Sequence, residues 1–204
     1  MTTIEFFFDY SSPWTYLAFD RIEAVAADVG AELVWRPFVV GGVFNTVNPS
    51  IYQRRDNPIP VKDAYYRKDM TDWAELQGLT IGHPPVFPVN SVKALRGAFL
   101  AIEEGLVVPY SRAVFSAYWT DLRDISKDDV LTDIVGQVGI DPARFFDYIA
   151  RQDTKDHLRA VTDELIARGG FGSPTMFVDG TDMYFGNDRL DLIRDLIRKR
   201  AGAA

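Results

Sequence analysis

Residues 4–19 read IEFFFDYSSPWTYLAF. The segment at residues 4–8 is apolar and rich in aromatic side chains, which predicts a buried first strand. Residues 9–13 break that run. Pro13 suits the first turn of a helix, because N–H groups in the first turn have no intrahelical acceptor and the missing N–H of proline is not needed there. Apolar residues then recur at helical spacing until Gly30, just past the predicted end of the helix. The chain therefore opens with a strand, a tight turn and a helix.

A second strand is suggested at residues 33–35 and 38–40, interrupted or ended near Pro37. A strand, a helix and a strand in this order normally give two parallel strands joined by a right-handed crossover. The far end of the chain is equally regular. Residues 174–178 and 183–185 predict two antiparallel strands around a tight turn, and residues 186–188 introduce a last helix.

The long middle of the chain is predicted to be mostly helical. Residues 41–60 contain Gly, Asn and Pro and predict a loop. Helical patterns follow at residues 61–76 and 154–168, and four further helices are predicted after Asn90, Pro109, Ser126 and Asp141.

Without this middle, the order of elements is β-α-β-α-β-β-α, that of a thioredoxin fold. We therefore predict an α/β protein with a thioredoxin-like fold and a large all-helical insertion. The thioredoxin-like domain comprises residues 1–40 and 170–204, with the helix at residues 154–169 packing on it. The helical insertion domain comprises residues 41–153.

The composition excludes several kinds of chemistry. The 204 residues include no cysteine, which rules out disulfides, thiolate metal sites, cysteine nucleophiles and dithiol redox chemistry. Since His83 and His157 are the two histidines, a metal site built on several imidazoles is also excluded, and no metal is predicted.

Charge and hydropathy argue against two kinds of partner. The chain has 22 Lys and Arg against 29 Asp and Glu, a net charge of −7, whereas nucleic acids and anionic membrane surfaces attract basic proteins. No stretch approaches the about 20 apolar residues of a membrane-spanning helix, and the first residues lack the pattern of a signal peptide. We therefore expect a cytoplasmic protein with no nucleic-acid or membrane partner.

Ser11 and Ser12 lie between the first strand and the first helix, where thioredoxin-like folds carry their reactive group. A serine before a proline is a favoured helix N-cap, and capping alone would explain it. Alternatively, the hydroxyl, at the positive end of a helix, hydrogen-bonds a bound thiolate. A serine cannot form a disulfide, so a redox role is excluded in both cases.

Motifs spread over nearly the whole chain resemble one family. Residues 8–18, FDYSSPWTYLA, resemble the opening motif of the 2-hydroxychromene-2-carboxylate isomerases, relatives of the kappa-class glutathione transferases. Further similarities follow in the family's order, at Asp69 with Trp73, FPVNS (87–91), GSPTMF (172–177) and FGNDRL (185–190). The resemblance implies a thioredoxin-like fold of the disulfide-oxidoreductase-A type and an isomerase with glutathione as its cofactor.

The resemblance also implies roles for two motifs. By position, Ser12 is the serine that contacts the glutathione sulfur and stabilises the thiolate, and Ser11 is the less favoured neighbour. Ser173 and Pro174 match a motif in which the proline is cis. The residue before that proline offers its backbone to the cysteine part of the bound peptide, so the identity of the Ser173 side chain should matter little.

The start of the last helix is the third part of the expected glutathione site. Helix N-termini bind carboxylates through free N–H groups, which favours Gly186, Asn187 and Asp188 as glutathione-binding residues. Asp188 could pair with the ammonium group of glutathione. The alternative interpretation is ordinary capping by Asn187, with Asp188 favoured in a first turn in any case.

The second substrate is expected to be a small aromatic carboxylate, which needs a flat apolar wall and a cation. By family position, Asn57 and Lys62 are the candidates for its polar end. Trp73, Phe38 and Phe87 are the candidates for the wall. The alternatives are a solvated helix face for the charged residues and a core position for the aromatic ones. The cluster of basic residues around Lys62 comprises Arg54, Arg55, Arg67, Lys68, Lys93 and Arg96.

The activity that the resemblance implies is conversion of 2-hydroxychromene-2-carboxylate, or a related aromatic acid, to trans-o-hydroxybenzylidenepyruvate in aromatic hydrocarbon catabolism. Glutathione would not be consumed, and the family commonly forms homodimers. Two alternatives stay open. A kappa-type glutathione transferase would consume glutathione, and a non-catalytic glutathione or thiol-peptide binding module would bind it without turnover.

Overall fold

A computed structural model describes residues 1–202, without the side chains of Arg54 and Arg55. Its sheet has the strand order β2-β1-β3-β4, with β1 parallel to β2 and antiparallel to β3, and β3 antiparallel to β4. The predicted thioredoxin-like sheet is therefore confirmed. Within the described residues, no helix is long and apolar enough to span a bilayer. The strands are β1 (Thr3–Phe8), β2 (Glu32–Pro37), β3 (Thr175–Val178) and β4 (Asp182–Phe185).

The central strand β1 is buried on both faces at Phe6, Phe7 and Phe8, which explains this run of three aromatic residues. On one face Phe6 and Phe8 pack edge-on against Trp35 of β2, at ring-centroid distances of 5.7 and 6.0 Å. On the other face Phe7 packs against Phe38 and Phe177, at 6.3 and 5.7 Å. Helices cover both faces of the sheet.

Ten α-helices are described, and most lie where the sequence predicts them. A π-helical turn, Ser116–Thr120, follows the sixth, and a 3₁₀ turn, Asn187–Arg189, precedes the last. The helices are α1 (Pro13–Asp28), α2 (Val40–Val47), α3 (Ser50–Asp56), α4 (Pro60–Gln77), α5 (Val92–Glu103), α6 (Val107–Phe115), α7 (Asp128–Gln137), α8 (Pro142–Ala150), α9 (Gln152–Ala167) and α10 (Leu190–Gly202).

The prediction of a loop at residues 41–60 is wrong, because α2 and α3 occupy most of this segment. Residues 38–40 do not extend β2 either, since Val40 already begins α2. The α2 sequence VGGVFNTV combines glycines with β-branched residues, which are weak helix formers. Tertiary contacts explain the helix instead: Val43 is fully buried, and a Cβ at Gly42 would lie only 3.1 Å from Thr162 of α9.

The helical middle and the sheet share one hydrophobic core. Phe115 of α6 packs against Tyr10, Tyr16 and Phe19, with ring centroids at 4.9, 5.1 and 5.2 Å. These three aromatic residues belong to the segment that joins β1 to α1 and to α1 itself. The division into a thioredoxin-like domain and a helical insertion domain stays a prediction, and the packing ties the two parts into a continuous core.

Candidate active site

A cleft of about 780 Å³ lies where β1 turns into α1. Its walls come from the start of α2, from α4, from the start of α5 and from the segments that precede β3 and follow β4. Small-molecule sites in proteins typically enclose about 300–1,000 Å³. The cleft therefore has the size of a site for a tripeptide or a small aromatic ligand.

Ser12 lies in this cleft and caps α1. Its Oγ accepts the N–H of Thr15 at 3.3 Å, and its own O–H donates to the backbone carbonyl of Ser173 at 3.1 Å. Capping uses only a lone pair of Oγ, so the hydroxyl proton is available for a second interaction. The structural and the functional interpretation of Ser12 are thus compatible.

Ser173 connects the segment before β3 to the turn that carries Ser12. The Ser173–Pro174 bond is cis, as the motif implied. Contrary to the expectation that the Ser173 side chain matters little, its buried Oγ accepts the N–H of Asp9 at 3.1 Å and pairs with Oγ1 of Thr15 at 2.7 Å. Pro174 accepts the N–H of Gly186 through its carbonyl at 3.2 Å. The hydroxyl of Ser173 therefore binds Asp9 and Thr15, and its backbone carbonyl binds Ser12.

The Asp9 carboxylate is a feature of the cleft that sequence reasoning missed. It is 1% exposed and accepts hydrogen bonds from the N–H of Ser11, the hydroxyl of Ser91 and the N–H of Val40. Burial raises the pKa of Asp9 above its usual value, although these hydrogen bonds act in the opposite direction. An aspartate that opens a turn commonly binds the N–H two residues on, and this signal could have identified it.

Gly186, Asn187 and Asp188 line the cleft at the start of the last helical segment. Gly186 has φ +108°, and a Cβ there would lie 2.7 Å from Oδ1 of Asp188, so this position requires glycine. Asn187 is 4% exposed, and its Nδ2 has no hydrogen-bond partner among the described residues. A buried amide donor without a partner is suited to a polar ligand group.

Arg189, which belongs to the FGNDRL motif but is given no role by the sequence, also lines the cleft. Its guanidinium lies 2.9 Å from the carboxylate of Asp188. Asp188, the expected partner of the ammonium group of glutathione, is therefore already paired with a cation. The two side chains are each about half exposed, so the pair can adjust when a ligand binds.

Aromatic residues form one wall of the cleft, as a flat apolar ligand requires. Trp73 and Phe87 line it as predicted. Trp14 and Tyr66 add to the wall: the indole N–H donates to the Tyr66 hydroxyl at 2.9 Å, and the rings meet edge-on at 5.3 Å. Phe185 lies on the opposite side and packs against Phe171 at 4.5 Å.

Three of the residues predicted for substrate binding lie elsewhere. Phe38 is fully buried in the core against Phe7, so its assignment to the substrate wall is wrong. Asn57 and Lys62 line a neighbouring cleft of about 670 Å³ rather than the cleft of Ser12. The two clefts share Tyr65, Tyr66 and Asp69 of α4 as a common wall.

Three residues of the predicted basic cluster form surface ion pairs. Arg67 and Lys68 pair with carboxylates four residues away on α4, and Lys93 pairs with Asp128 of α7. The side chains of Arg54 and Arg55 lie outside the described residues. These pairs favour the interpretation of Arg67, Lys68 and Lys93 as solvated helix faces.

Comparisons with known proteins agree with this geometry. The family described as DSBA-like thioredoxin domain matches residues 3–198. The 2-hydroxychromene-2-carboxylate isomerase of Pseudomonas putida is 30% identical over 195 residues, covering 93% of this chain and 91% of the relative. Glutathione S-transferase kappa 2 of Caenorhabditis elegans is 25% identical over 208 residues, covering 95% and 91%.

A solved structure of a 2-hydroxychromene-2-carboxylate isomerase superposes on the chain with a TM-score of 0.81. It is 26% identical, and the match covers 99% of each chain. The match extends over the sheet and the helical middle alike. The chain therefore belongs to the DSBA-like thioredoxin-domain proteins and, within them, to the family of the 2-hydroxychromene-2-carboxylate isomerases.

Proposed function

We propose that the protein is a glutathione-dependent isomerase that acts on 2-hydroxychromene-2-carboxylate or a related aromatic acid. One observation carries the proposal: the Ser12 hydroxyl lies in the cleft, at the N-terminus of α1, and donates to the backbone carbonyl of Ser173, which also lines the cleft. The names of the isomerase and kappa-transferase relatives support the same conclusion.

The residues of the cleft fit glutathione. The chain has no cysteine, so a thiol at this site has to come from a ligand. The Ser12 hydroxyl can donate to a thiolate, and the backbone of Ser173 can pair with the cysteine part of the tripeptide. The buried amide of Asn187, which lacks a partner among the described residues, can donate to a carboxylate at the γ-glutamyl end.

Bound glutathione would supply a nucleophilic thiolate that adds to the unsaturated substrate and leaves again. The contribution of Ser12 is a hydrogen bond that favours the charged form of the sulfur. A hydrogen bond to a charged group contributes about 1.5–3 kcal/mol. At about 1.4 kcal/mol for each pKa unit, this hydrogen bond would lower the pKa of the glutathione thiol by roughly one to two units. The positive end of α1 acts in the same direction.

The protein also has to move the Ser12 hydroxyl proton from one acceptor to another. In the structure this proton is donated to the carbonyl of Ser173. If a ligand N–H occupies that carbonyl, the hydroxyl can turn towards the sulfur while Oγ still caps α1. Peptide binding and thiolate stabilisation are thus coupled through the Ser173 carbonyl.

An assay with 2-hydroxychromene-2-carboxylate tests the proposal. We expect turnover that requires glutathione, with the total of free glutathione unchanged after many turnovers, as measured by mass spectrometry. Stoichiometric loss of glutathione to a conjugate would favour the kappa-type transferase. Glutathione binding in calorimetry without turnover of any aromatic acceptor would favour the non-catalytic binding module.

Lys62 is our candidate for the side chain that binds the carboxylate of the substrate. Since Lys62 lines the neighbouring cleft, the substrate would extend from the cleft of Ser12 along the wall that the two clefts share. We expect Lys62→Ala to raise the KM for the aromatic acid roughly fivefold, because a partly exposed charge pair contributes up to about 1 kcal/mol. Neither kcat nor the KM for glutathione should change much. Steady-state kinetics with each substrate varied in turn would measure this.

The matched control is Lys199→Ala, which removes a lysine paired with Asp195 on α10. It should leave both KM values unchanged. Equal KM values for the aromatic acid in Lys62→Ala and the unsubstituted protein would remove Lys62 from the substrate site.

A further inference from the structure

The buried carboxylate of Asp9 joins three separate segments at the floor of the cleft. Its Oδ1 accepts from the N–H of Ser11 at 2.9 Å and from the hydroxyl of Ser91 at 2.7 Å. Its Oδ2 accepts from the N–H of Val40 at 2.8 Å. Ser11 belongs to the turn before α1, Val40 begins α2, and Ser91 directly precedes α5.

The backbone of Asp9 fixes the same turn from the other side. Its carbonyl accepts the N–H of Ser12 at 3.2 Å, and its N–H donates to the Ser173 hydroxyl at 3.1 Å. The position of the Ser12 hydroxyl therefore depends on how Asp9 is held. The carboxylate holds Asp9 against the two helices that flank the cleft.

Stability does not explain why a carboxylate occupies this position. Burial of a charge is unfavourable, and no lysine, arginine or histidine contacts Asp9 among the described residues. The ionisable groups that interact with it are Tyr10 and Tyr118, and burial raises the pKa of both phenols, so they stay neutral.

The direction of the Asp9 pKa gives the sign of its effect on stability. Because the pKa is raised, the folded protein binds this proton more tightly than the unfolded chain does. The free energy of unfolding therefore falls as the pH rises through the pKa that Asp9 has in the folded protein. Deprotonation of Asp9 therefore weakens the fold relative to the protonated carboxyl group.

We propose that Asp9 is a positioning residue for the reaction: its carboxylate holds the Ser12 hydroxyl in place by tying the Ser11–Ser12 turn to α2 and α5. The proposal rests on the proposed function of Ser12. A residue that positions a reacting group has a large effect on rate, since a small misplacement can lower it by up to about a hundredfold.

Asp9→Asn tests the proposal, because asparagine has the same shape but replaces one of the two accepting oxygens by an NH2 group that can only donate. We expect kcat/KM to fall about tenfold or more through misplacement of Ser12. Hydrogen exchange at the Ser11 and Val40 amides, measured by NMR without glutathione, should become faster. The decrease in stability with rising pH that the raised pKa of Asp9 causes should disappear.

Two sets of variants separate positioning from a general loss of structure. Asp147→Asn, at an exposed aspartate of α8, should match the unsubstituted protein in every measurement. Ser91→Ala removes one donor to the carboxylate and should lower kcat/KM in the same direction, whereas Ser91→Thr keeps a hydroxyl and should restore it.

Unchanged amide exchange at Ser11 and Val40 in Asp9→Asn would overturn the proposal. Equal kcat/KM values in Ser91→Ala and Ser91→Thr would overturn it as well, since that result indicates that the hydroxyl donor to Asp9 has no role in placing Ser12. If the unsubstituted protein neither binds nor requires glutathione, the proposed function fails. The exchange rates measured without glutathione still decide whether Asp9 holds the turn.

Discussion

Ser12→Ala is expected to lower kcat/KM of the glutathione-dependent isomerisation by about 10- to 100-fold. The lost hydrogen bond to the thiolate accounts for about 1.5–3 kcal/mol, and each 1.4 kcal/mol corresponds to about a factor of ten in rate. The protein should still fold. Loss of the N-cap of α1 costs only about 1 kcal/mol, or about 2–4 °C in the midpoint of unfolding for a chain of this size.

Two controls accompany this prediction. Ser12→Thr keeps both the hydroxyl and the capping oxygen, so it should retain more activity than the alanine variant. Ser11→Ala should lower activity less than Ser12→Ala, because Ser12 and not Ser11 contacts the carbonyl of Ser173. Full activity in Ser12→Ala, or loss of activity in Ser11→Ala alone, would assign the thiol contact to another residue.

Phe115→Ala should have the largest effect on stability. Phe115 is fully buried and contacts Tyr10, Tyr16 and Phe19 across the boundary between the helical middle and the thioredoxin-like part. Truncation of a buried phenylalanine to alanine costs about 3–5 kcal/mol, which lowers the unfolding midpoint by roughly 6–20 °C. Circular dichroism and calorimetry would measure this effect.

The shape of the transition matters as much as its midpoint. A single transition, shifted as a whole, is expected because both parts of the chain share the core around Phe115. Phe146→Ala on α8, where the side chain is only half-buried, should shift it less. Two separate transitions in Phe115→Ala, with one midpoint unchanged, would show that the helical middle unfolds independently.

The sequence predicts the sheet well because local patterns determine it. The apolar Ile4 and the phenylalanine run at residues 6–8 predict the doubly covered strand β1. Asp179 and Gly180 predict the turn between β3 and β4, and both have positive φ values, of 48° and 74°. The cap and first-turn pair Asp141-Pro142 begins α8 as predicted. These signals act within a few residues and need no tertiary information.

The errors fall where distant contacts decide the outcome. The helix α2 forms from a poor helix sequence because it packs on α9 and its first N–H binds the Asp9 carboxylate. Phe38 faces the core rather than the cleft because it follows β2 on the Phe7 side of the sheet. Asn57 and Lys62 lie just before α4 and at its start, in a neighbouring cleft that shares later residues of α4 with the cleft of Ser12. Sequence spacing carries no information on these arrangements.

Within the candidate site, the motifs identified the residues but not their connections. Ser12, Ser173 and Asn187 were predicted separately and line one cleft. The hydrogen bonds that join Ser91 and Ser173 to the Asp9–Ser12 turn span 82 and more than 160 positions of sequence. Such contacts require the folded chain, and they are the basis for the proposed role of Asp9.

The most direct test of the account is the pKa of the glutathione thiol when bound to the protein. Ultraviolet absorbance of the thiolate, followed during a pH titration, measures this pKa in the unsubstituted protein and in Ser12→Ala. We predict a value roughly one to two pH units lower in the unsubstituted protein, as expected for one hydrogen bond to a charged sulfur. Equal values in the two proteins would contradict the central claim that the Ser12 hydroxyl stabilises the thiolate.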